Sequence, residues 1–245
     1  MPEFKRALVF GASGNIGQSI CQTLAAAGWS LVMQYHHNQA VITESITELQ
    51  RQFPEQEFQS LALDFCQPNL NYADILAGCG DYQALVFAQG TTDYQLFVET
   101  SDQQIRELFQ QQLFTPMSLI KAAQNRLQQH AHSRIVFIGS IYGGVGSAME
   151  VAYSSVKGAQ SSFVNAYARE VAANGLTVNV VAPGAVNTKM NAEFSEDDLD
   201  ELALEIPVGR MAQPNEIAIW VKNLLATEAD YLTGQTIYVD GGWLK

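Results

Sequence analysis

Seven short apolar runs alternate with longer, more polar stretches along the chain. The runs are rich in Val, Ile, Leu and Phe, and most lack the polar alternation of a strand with one face in water. Strands covered by helices on both faces have this composition, and strand–helix–strand connections make neighbouring strands parallel. The alternation therefore predicts an α/β protein with a doubly wound parallel sheet. The predicted strands are residues 7–10, 30–33, 58–63, 84–87, 134–138, 177–181 and 236–239, and the predicted helices are residues 15–27, 39–52, 69–77, 101–129, 151–174, 195–205 and 214–226.

The composition fits one domain of this kind. Hydrophobic residues make up 47% of the 245 residues, which is enough to build a core and excludes an intrinsically disordered chain. No linker, internal repeat or charge block divides the sequence. We therefore expect a single domain over residues 1–245, with a short substrate lid near residues 188–212.

The charge balance excludes one class of partner. The chain has 25 acidic and 13 basic residues and a formal net charge of −12. Because a nucleic-acid-binding protein needs basic residues to neutralise phosphates, we expect no nucleic-acid partner. No apolar run approaches the roughly 18 residues of a membrane span, and no cleavable leader pattern is present, so we expect a cytoplasmic protein without a membrane partner.

Cysteine and histidine spacings do not indicate a metal site. The three cysteines, Cys21, Cys66 and Cys79, include no CxxC pair and are expected to be buried thiols of a reducing compartment. The four histidines form two close pairs that lack the helical spacing of a metal hydrolase. We expect these histidines to lie in loops or at the surface, and we expect no metal.

A glycine-rich segment follows the first predicted strand directly. It reads Gly11-Ala12-Ser13-Gly14-Asn15-Ile16-Gly17 and is followed by a helical stretch. Glycine lets the backbone approach a pyrophosphate closely, and the amino end of the next helix favours the negative charge. The strand before the segment and the helix after it favour a dinucleotide-binding turn over an incidental β–α turn.

The end of the second predicted strand indicates which dinucleotide is bound. NAD-specific sites place a carboxylate on the ribose 2′-hydroxyl at this point. Here the chain reads Tyr35-His36-His37-Asn38, which has no carboxylate to repel a 2′-phosphate and can donate hydrogen bonds to one. The sequence therefore favours NADPH. After the third strand, Asp64 can accept from the adenine amino group or cap the next turn, and both readings remain open.

A phenol and an ammonium group lie one helical turn apart in Tyr153-Ser154-Ser155-Val156-Lys157. Ser140 lies 13 residues before Tyr153, at the carboxyl end of a predicted strand, where parallel sheets bind ligands. A free tyrosine, with a pKa near 10, is a poor acid at neutral pH, and a neighbouring lysine charge lowers that pKa. We therefore expect Tyr153 to act as a general acid.

With these motifs, the chain resembles the short-chain dehydrogenase/reductase family over essentially its whole length. The resemblance rests on the glycine loop, Ser140, Tyr153 with Lys157, the segment Asn179-Val180-Val181-Ala182-Pro183-Gly184, and the terminal segments Thr233-Gly234-Gln235 and Val239-Asp240-Gly241-Gly242. It implies a Rossmann-type sheet of order 3-2-1-4-5-6-7. It also implies that Tyr153 protonates a substrate carbonyl, Ser140 orients it, and Lys157 lowers the tyrosine pKa and holds the nicotinamide ribose.

The same resemblance implies a set of residues that contact NADPH. They are Gly11, Ser13, Asn15, Ile16, Gly17, Tyr35, His36, His37, Asn38, Asp64, Phe65, Ala88, Gly90, Tyr153, Lys157, Pro183, Gly184, Val186 and Thr188. Two motifs depart from the family pattern. The usual Asn-Asn-Ala-Gly after the fourth strand is Phe87-Ala88-Gln89-Gly90 here, and the helix asparagine that supports the catalytic lysine through a water falls on Gln112. We include Gln112 among the catalytic residues, since its longer amide can hold the same water.

The substrate remains open between two ketones carried on proteins. The chain most resembles the subgroup of elongation factor P 5-aminopentanone reductases, in segments such as Ser140-Ile141-Tyr142-Gly143 and Lys157-Gly158-Ala159-Gln160. On this reading the acidic segment 196–201 is a lid that attracts a cationic amine. The alternative is a 3-oxoacyl-acyl-carrier-protein reductase, whose acidic carrier needs a basic patch, for which Arg126, Arg134 and Arg169 are candidates.

A third reading is a non-catalytic dinucleotide-binding regulator, which the complete Ser140, Tyr153 and Lys157 set disfavours. The family resemblance also implies a homotetramer or homodimer with interfaces on the helices at 101–129 and 151–174.

Overall fold

The fold is a seven-stranded parallel sheet with helices on both faces. The computed structural model describes residues 5–189 and 195–244. All strand pairs are parallel, and the order β3-β2-β1-β4-β5-β6-β7 confirms the predicted doubly wound topology. The strands are β1 (Arg6–Phe10), β2 (Ser30–Tyr35), β3 (Phe58–Ala62), β4 (Ala84–Phe87), β5 (Ser133–Ile138), β6 (Leu176–Pro183) and β7 (Thr236–Val239).

Helices connect the strands and cover the sheet. They are α1 (Asn15–Ala26), α2 (Gln39–Gln52), α3 (Tyr72–Ala77), α4 (Asp102–Phe109), α5 (Thr115–Leu127), α6 (Tyr142–Val145), α7 (Val151–Val171), α8 (Glu196–Glu205) and α9 (Pro214–Leu225). Because both faces are covered, every residue of β4, β5 and β6 is buried. Two apolar cores result, one on each face of the sheet. Within the described residues, no helix is both long and apolar enough to cross a bilayer.

The helix predicted over residues 101–129 is not continuous. It consists of α4, a π-helical turn at Gln110–Phe114, and α5. Such a turn inserts one extra residue into the helical repeat and commonly marks a functional position. Here it buries Gln112 and Leu113 on the side that faces the sheet. The predicted helical stretch is present, but its middle turn is π-helical instead of α-helical. Helix propensity does not predict such a turn.

Two other expectations need correction. Arg134 is fully buried, and its guanidinium donates to Ser133 O at 3.0 Å, to Ala226 O at 3.2 Å and to the carboxylate of Asp230. It therefore cannot belong to a surface patch with Arg126 and Arg169. Cys21 and Cys79 are buried as expected, but Cys66 is exposed.

The two ends of the segment that connects β6 to α9 lie next to each other and form a neck. A parallel bridge joins Val186 to Ala212, and the amide of Asn187 donates to Ala212 O at 2.8 Å. Beyond this neck, the amide of Lys189 donates to Asn15 Oδ1 at 3.0 Å. The start of the predicted lid is thus attached to the glycine loop. Part of that lid, residues 190–194, lies outside the described residues.

Candidate active site

A cavity of about 720 Å³ opens at the carboxyl edge of the sheet. Its walls come from the segments after β4, β5 and β6, from the start of α7, and from α8. Parallel sheets bind ligands at this edge because the loops there converge from several strands. The predicted site residues that line the cavity are Ile16, Ala88, Gly90, Ser140, Tyr153, Lys157, Pro183, Gly184, Val186 and Thr188.

Ser140, Tyr153 and Lys157 meet on one side of this cavity. Ser140 and Tyr153 both line the cavity, and Ser140 lies near enough to Tyr153 to act on the pKa of its phenol. Lys157 Nζ lies 5.5 Å from the centre of the Tyr153 ring and donates to Ile138 O at 2.9 Å. The bond to Ile138 anchors the lysine to the end of β5, two residues before Ser140. The structure therefore brings Ser140, which follows β5, together with Tyr153 and Lys157, which lie one turn apart on α7.

Burial sets the proton affinities of this group. It raises the pKa of Tyr153 above its ordinary value, a shift that the hydrogen bond from Ser140 opposes and the nearby carboxylate of Glu150 reinforces. Burial also lowers the pKa of Lys157 to about 7. The expectation that Lys157 lowers the tyrosine pKa is not met in the chain alone. The ammonium group is itself destabilised by burial, so about half of Lys157 is uncharged near pH 7 in the chain alone.

These shifts predict opposite pH profiles for the two directions of a redox reaction. A raised Tyr153 pKa keeps the phenol protonated at and above neutral pH, which suits a proton donor and disfavours a proton acceptor. We expect kcat/KM for ketone reduction to fall above about pH 7, because Lys157, whose pKa is about 7, loses its charge there, and that for alcohol oxidation to rise with pH. Initial rates at saturating cofactor measure both. A reduction rate that stays constant from about pH 6 to about pH 9 would contradict this prediction.

The glycine loop forms the amino end of α1 and fits a phosphate group. Helix α1 starts at Asn15, its N-cap residue Gly14 provides no side-chain cap, and its first turn contains no acidic residue. The first amides of a helix have no acceptor within the helix, so an anion is the natural partner for such an end. The donors at this end of the cavity therefore fit the pyrophosphate of a dinucleotide.

Two glycines of this loop are required by close backbone packing. Gly11 has φ +76°, and a Cβ there would lie 2.4 Å from Gln89 N. A Cβ on Gly17 would lie 2.1 Å from Gly11 O. Gly14 differs, because its nearest neighbour, Gly11 O, is 3.5 Å away. The loop thus packs against the end of β4 through Gly11 and against itself through Gly17, while Gly14 remains exposed.

The residues expected at the adenosine end lie outside the cavity, around the ends of β2 and β3. Tyr35 and Phe65 are buried in the two cores, so their side chains serve packing. His36 and His37 are exposed and their ring centres are 3.4 Å apart. Asp64 Oδ1 accepts from the amide of Cys66 at 2.8 Å, which is the turn-capping contact, and Asp64 Oδ2 lies 3.6 Å from His36 Nε2. Asn38 immediately precedes α2.

Gln112 lies behind the cavity wall and is completely buried. Its Nε2 donates to Thr91 O at 2.7 Å, and its main-chain carbonyl accepts from Gln160 Nε2 at 2.6 Å. Its Oε1 lies against Gly90, where an added Cβ would be 3.1 Å away. Gln160, one turn after Lys157 on α7, was not singled out from the sequence. Its i+3 spacing from the lysine is the signal that could have found it.

The buried glutamines leave acceptors without donors. Within the described part of the chain, the Oε1 atoms of Gln89, Gln112 and Gln160 have no hydrogen-bond partner. Buried acceptors of this kind normally bind ordered water. A water held by Gln112 Oε1 stays a prediction. The main-chain carbonyl of Gln112 already accepts from Gln160.

One wall of the cavity is acidic and aromatic, and the sequence predicted only some of its residues. The acidic segment after Ser195 forms α8, which lines the cavity with Asp198, Glu201 and Glu205. Three further residues that line the cavity were not predicted: Glu150, Tyr142 and Trp243. Thr92 Oγ1 donates to Glu150 Oε1 at 2.8 Å, and the rings of Tyr142 and Trp243 are 6.2 Å apart.

The spacing of Glu150, three residues before Tyr153, could have indicated its position. Trp243 reaches the site only because the end of the chain folds back after β7, which no local pattern shows.

A doubly wound sheet with a glycine loop and a Tyr–Lys pair on one cavity defines a dinucleotide-dependent oxidoreductase. A family model described as enoyl-(acyl carrier protein) reductase matches residues 11–244. The chain belongs to the short-chain dehydrogenase/reductase family.

Curated and solved relatives cover nearly the whole chain. It is 37% identical over 244 residues to the uncharacterized oxidoreductase YmfI of Bacillus subtilis (strain 168), with 98% of each covered. It is 32% identical over 243 residues to the 3-oxoacyl-[acyl-carrier-protein] reductase FabG of Escherichia coli (strain K12), covering 98% of this chain and 97% of FabG. The crystal structure of YwfH, an NADPH dependent reductase involved in bacilysin biosynthesis, matches with a TM-score of 0.92 and 25% identity over 99% of both chains.

Proposed function

We propose that this protein reduces a ketone to a secondary alcohol with NADPH, and that Ser140, Tyr153 and Lys157 are its catalytic residues. The observation that carries the proposal is that Ser140 and Tyr153 line one cavity together with Lys157, whose Nζ lies 5.5 Å from the centre of the Tyr153 ring. In the overall reaction the carbonyl carbon gains a hydride, the carbonyl oxygen gains a proton, and NADPH becomes NADP⁺.

The residues of the chain handle the carbonyl oxygen and its proton. Ser140 donates a hydrogen bond to the oxygen and orients it, and Tyr153 transfers its phenolic proton to it. Lys157, fixed by Ile138 O, holds the cofactor ribose, and its charge stabilises the phenolate that the proton transfer leaves. Bound NADPH supplies the hydride.

The choice of NADPH is supported by the end of β2. Tyr35, His36 and His37 place no carboxylate where an NAD-specific site has one. Two imidazoles there can donate to a 2′-phosphate. YwfH, whose fold this chain shares at a TM-score of 0.92, is described as NADPH dependent.

The charge of the cavity supports a cationic substrate. Among the described lining residues, Glu150, Asp198, Glu201 and Glu205 are acidic, and Lys157 is the one basic residue. Tyr142 and Trp243 add aromatic faces, which also attract ammonium groups. We therefore assign as substrate the 5-aminopentanone group on elongation factor P, a ketone with an amine, in agreement with the subgroup that the sequence resembles. Segment 188–212, which includes α8, is the substrate lid in this proposal.

A ketone on acyl carrier protein is the second candidate, because FabG of Escherichia coli shares 32% identity over nearly the whole chain. Acyl carrier proteins are acidic, and they dock on basic surface. The chain has a net charge of −12, and Arg134, one of its three candidate anchors, is buried. These two facts favour the elongation factor reading.

One assay separates the two substrates. Oxidation of NADPH would be followed with elongation factor P that carries the ketone and with acetoacetyl-acyl carrier protein, each with unmodified carrier as the blank. Selective turnover of the modified factor supports the proposal. Selective turnover of the acyl carrier substrate would establish the second candidate, and turnover of neither would refute both.

The acidic wall predicts selectivity for charge. Replacement of Glu201 and Glu205 by glutamine removes two negative charges from the cavity wall and leaves its shape nearly unchanged. We expect kcat/KM for a ketone with a primary amine to fall about tenfold, and that for a neutral ketone of equal length to change less than about twofold. Asp200→Asn is the matched control, since Asp200 is exposed on the same helix and does not line the cavity. Equal losses for both ketones would contradict the electrostatic role.

The same proposal includes assembly and location. Exposed apolar side chains on the two helices expected to form interfaces, namely Phe114, Met117 and Val151, support a homotetramer or homodimer. We place the enzyme in the cytoplasm, where elongation factors act.

A further inference from the structure

We propose that Gln160 is a positioning residue for catalysis: its buried side chain fixes the π-helical turn against α7 and, with Gln112, provides acceptor oxygens for the ammonium group of Lys157. This inference rests on the proposed function, in which Lys157 holds the cofactor ribose and stabilises the Tyr153 phenolate. It adds a residue that does not line the cavity and acts through the lysine.

Gln160 links the helix that carries Lys157 to the π-helical turn at Gln110–Phe114. It follows the lysine by three residues on α7, so the two side chains lie on neighbouring positions of one helix face. Gln160 is 1% exposed and Lys157 is 3% exposed. The turn packs against α7, and Gln160 Nε2 donates to Gln112 O at 2.6 Å. The helix face with the lysine is therefore bonded to this turn.

Gln112 continues the link to the cavity wall. Its Nε2 donates to Thr91 O at 2.7 Å, and its Oε1 lies 3.1 Å from the position of an added Cβ on Gly90. Gly90 lines the cavity together with Lys157. Because the amide nitrogens of Gln112 and Gln160 both donate to main-chain carbonyls, the directions of the two amide oxygens are also fixed.

The oxygen atoms of the two glutamines complement the donors of Lys157. Within the described part of the chain, Gln112 Oε1 and Gln160 Oε1 have no hydrogen-bond donor. An ammonium group donates three hydrogen bonds, and the one acceptor that the described residues give Lys157 Nζ is Ile138 O, at 2.9 Å. Buried acceptors without a partner cost free energy. The remaining donors of the lysine can pair with them across an ordered water.

This arrangement favours the charged form of Lys157, which burial disfavours. Burial lowers the pKa of the lysine to about 7. The titratable group beside it is Tyr153, whose ring centre is 5.5 Å from Nζ, and no carboxylate of the described residues forms an ion pair with it. Acceptors around an ammonium group raise its pKa. We therefore expect Gln160 to extend to higher pH the range in which Lys157 is charged.

Two substitutions of opposite chemistry test this role. Gln160→Leu removes the acceptor, and we expect the fall in kcat/KM for ketone reduction to begin about one pH unit lower than in the wild type. Gln160→Glu places a carboxylate at the same position, and we expect that fall to begin about one pH unit higher. Rates of NADPH oxidation from about pH 6 to about pH 9 measure both. A purely structural role would not displace the two pH profiles in opposite directions.

Gln110→Leu is the matched control. Gln110 belongs to the same π-helical turn, and its Nε2 donates to Thr115 Oγ1 at 2.8 Å, so this variant also removes one side-chain hydrogen bond of the turn. We expect its pH profile to coincide with that of the wild type. Chemical denaturation of the three variants shows whether each of them folds.

The outcomes separate this inference from the proposed function. A profile of Gln160→Leu that coincides with the wild type, or shifts of both Gln160 variants in the same direction, overturns the inference and leaves the proposed function intact. If Gln160→Leu does not fold, the profile of Gln160→Glu decides, and the absence of a shift to higher pH overturns the inference. A wild-type protein that reduces no ketone with NADPH refutes the proposed function and this inference together.

Discussion

Replacement of Tyr153 by phenylalanine is expected to lower kcat for ketone reduction by about a thousandfold, within the range by which a positioned general acid accelerates a reaction. The variant removes one oxygen atom and keeps the ring that lies 5.5 Å from Lys157 Nζ. Ser140 keeps its contact with the amide of Tyr142, at 3.2 Å, so the wall of the site should hold its shape. The loss should therefore appear in kcat, with the Kd of NADPH within about twofold of wild type.

Two measurements, of cofactor affinity and of turnover, together test this prediction. Cofactor affinity comes from fluorescence quenching and turnover from NADPH oxidation under saturating ketone. A variant that binds NADPH normally but does not turn over excludes the reading of the chain as a non-catalytic regulator. Full turnover by Tyr153→Phe would show that another group donates the proton.

Replacement of Gly17 by alanine is expected to lower NADPH affinity by about a hundredfold, because the added Cβ displaces the loop expected at the pyrophosphate and a misplacement of about 1 Å can cost a site that much. The added Cβ would lie 2.1 Å from Gly11 O and 2.9 Å from Ala12 Cα, and both atoms belong to the backbone. The loop must move away from α1 to relieve the overlap. The same displacement should lower the free energy of unfolding by about 3 kcal/mol.

Gly14→Ala is the matched control for this second prediction. Gly14 has φ −76°, which any residue adopts, and its Cβ would meet Gly11 O at an ordinary 3.5 Å. We expect its stability to stay within about 0.5 kcal/mol of wild type and its NADPH affinity within about threefold. Titration with NADPH and chemical denaturation measure both variants. Equal losses in the two variants would show that the loop requires glycine for flexibility alone and not for close packing.

The sheet could be predicted from the sequence because its strands are covered on both faces. Runs such as Ala84–Phe87 are apolar throughout, and once seven of them alternate with helices, few topologies remain. The strand order came with the family resemblance. The π-helical turn at Gln110–Phe114 could not be predicted, since no local pattern shows that the side chain of Gln160, 48 residues away, donates to the main-chain carbonyl of Gln112.

The candidate site also has a part that the sequence could predict and a part that it could not. The sequence could predict the site residues Ser140, Tyr153 and Lys157. Parallel strands bring their carboxyl ends to one edge of the sheet, and a four-residue spacing puts two side chains on one face of a helix. The effect of burial on the pKa values of these side chains could not be predicted from the sequence. Burial of Tyr153 raises the pKa of its phenol, and burial of Lys157, which is 3% exposed, lowers the pKa of its ammonium group. Glu150 and Trp243 join the cavity through tertiary contacts alone.

The neck between Val186 and Ala212 has a consequence for enzyme redesign. The ends of the intervening segment already lie side by side in a parallel bridge, so an exchange of that segment for one of different length adds little loop-closure entropy. Ser140 and Tyr153 belong to other parts of the chain and do not depend on it. We therefore expect that the segment can be exchanged between relatives as one unit, which would carry Asp198, Glu201 and Glu205 with it while Ser140 and Tyr153 stay in place.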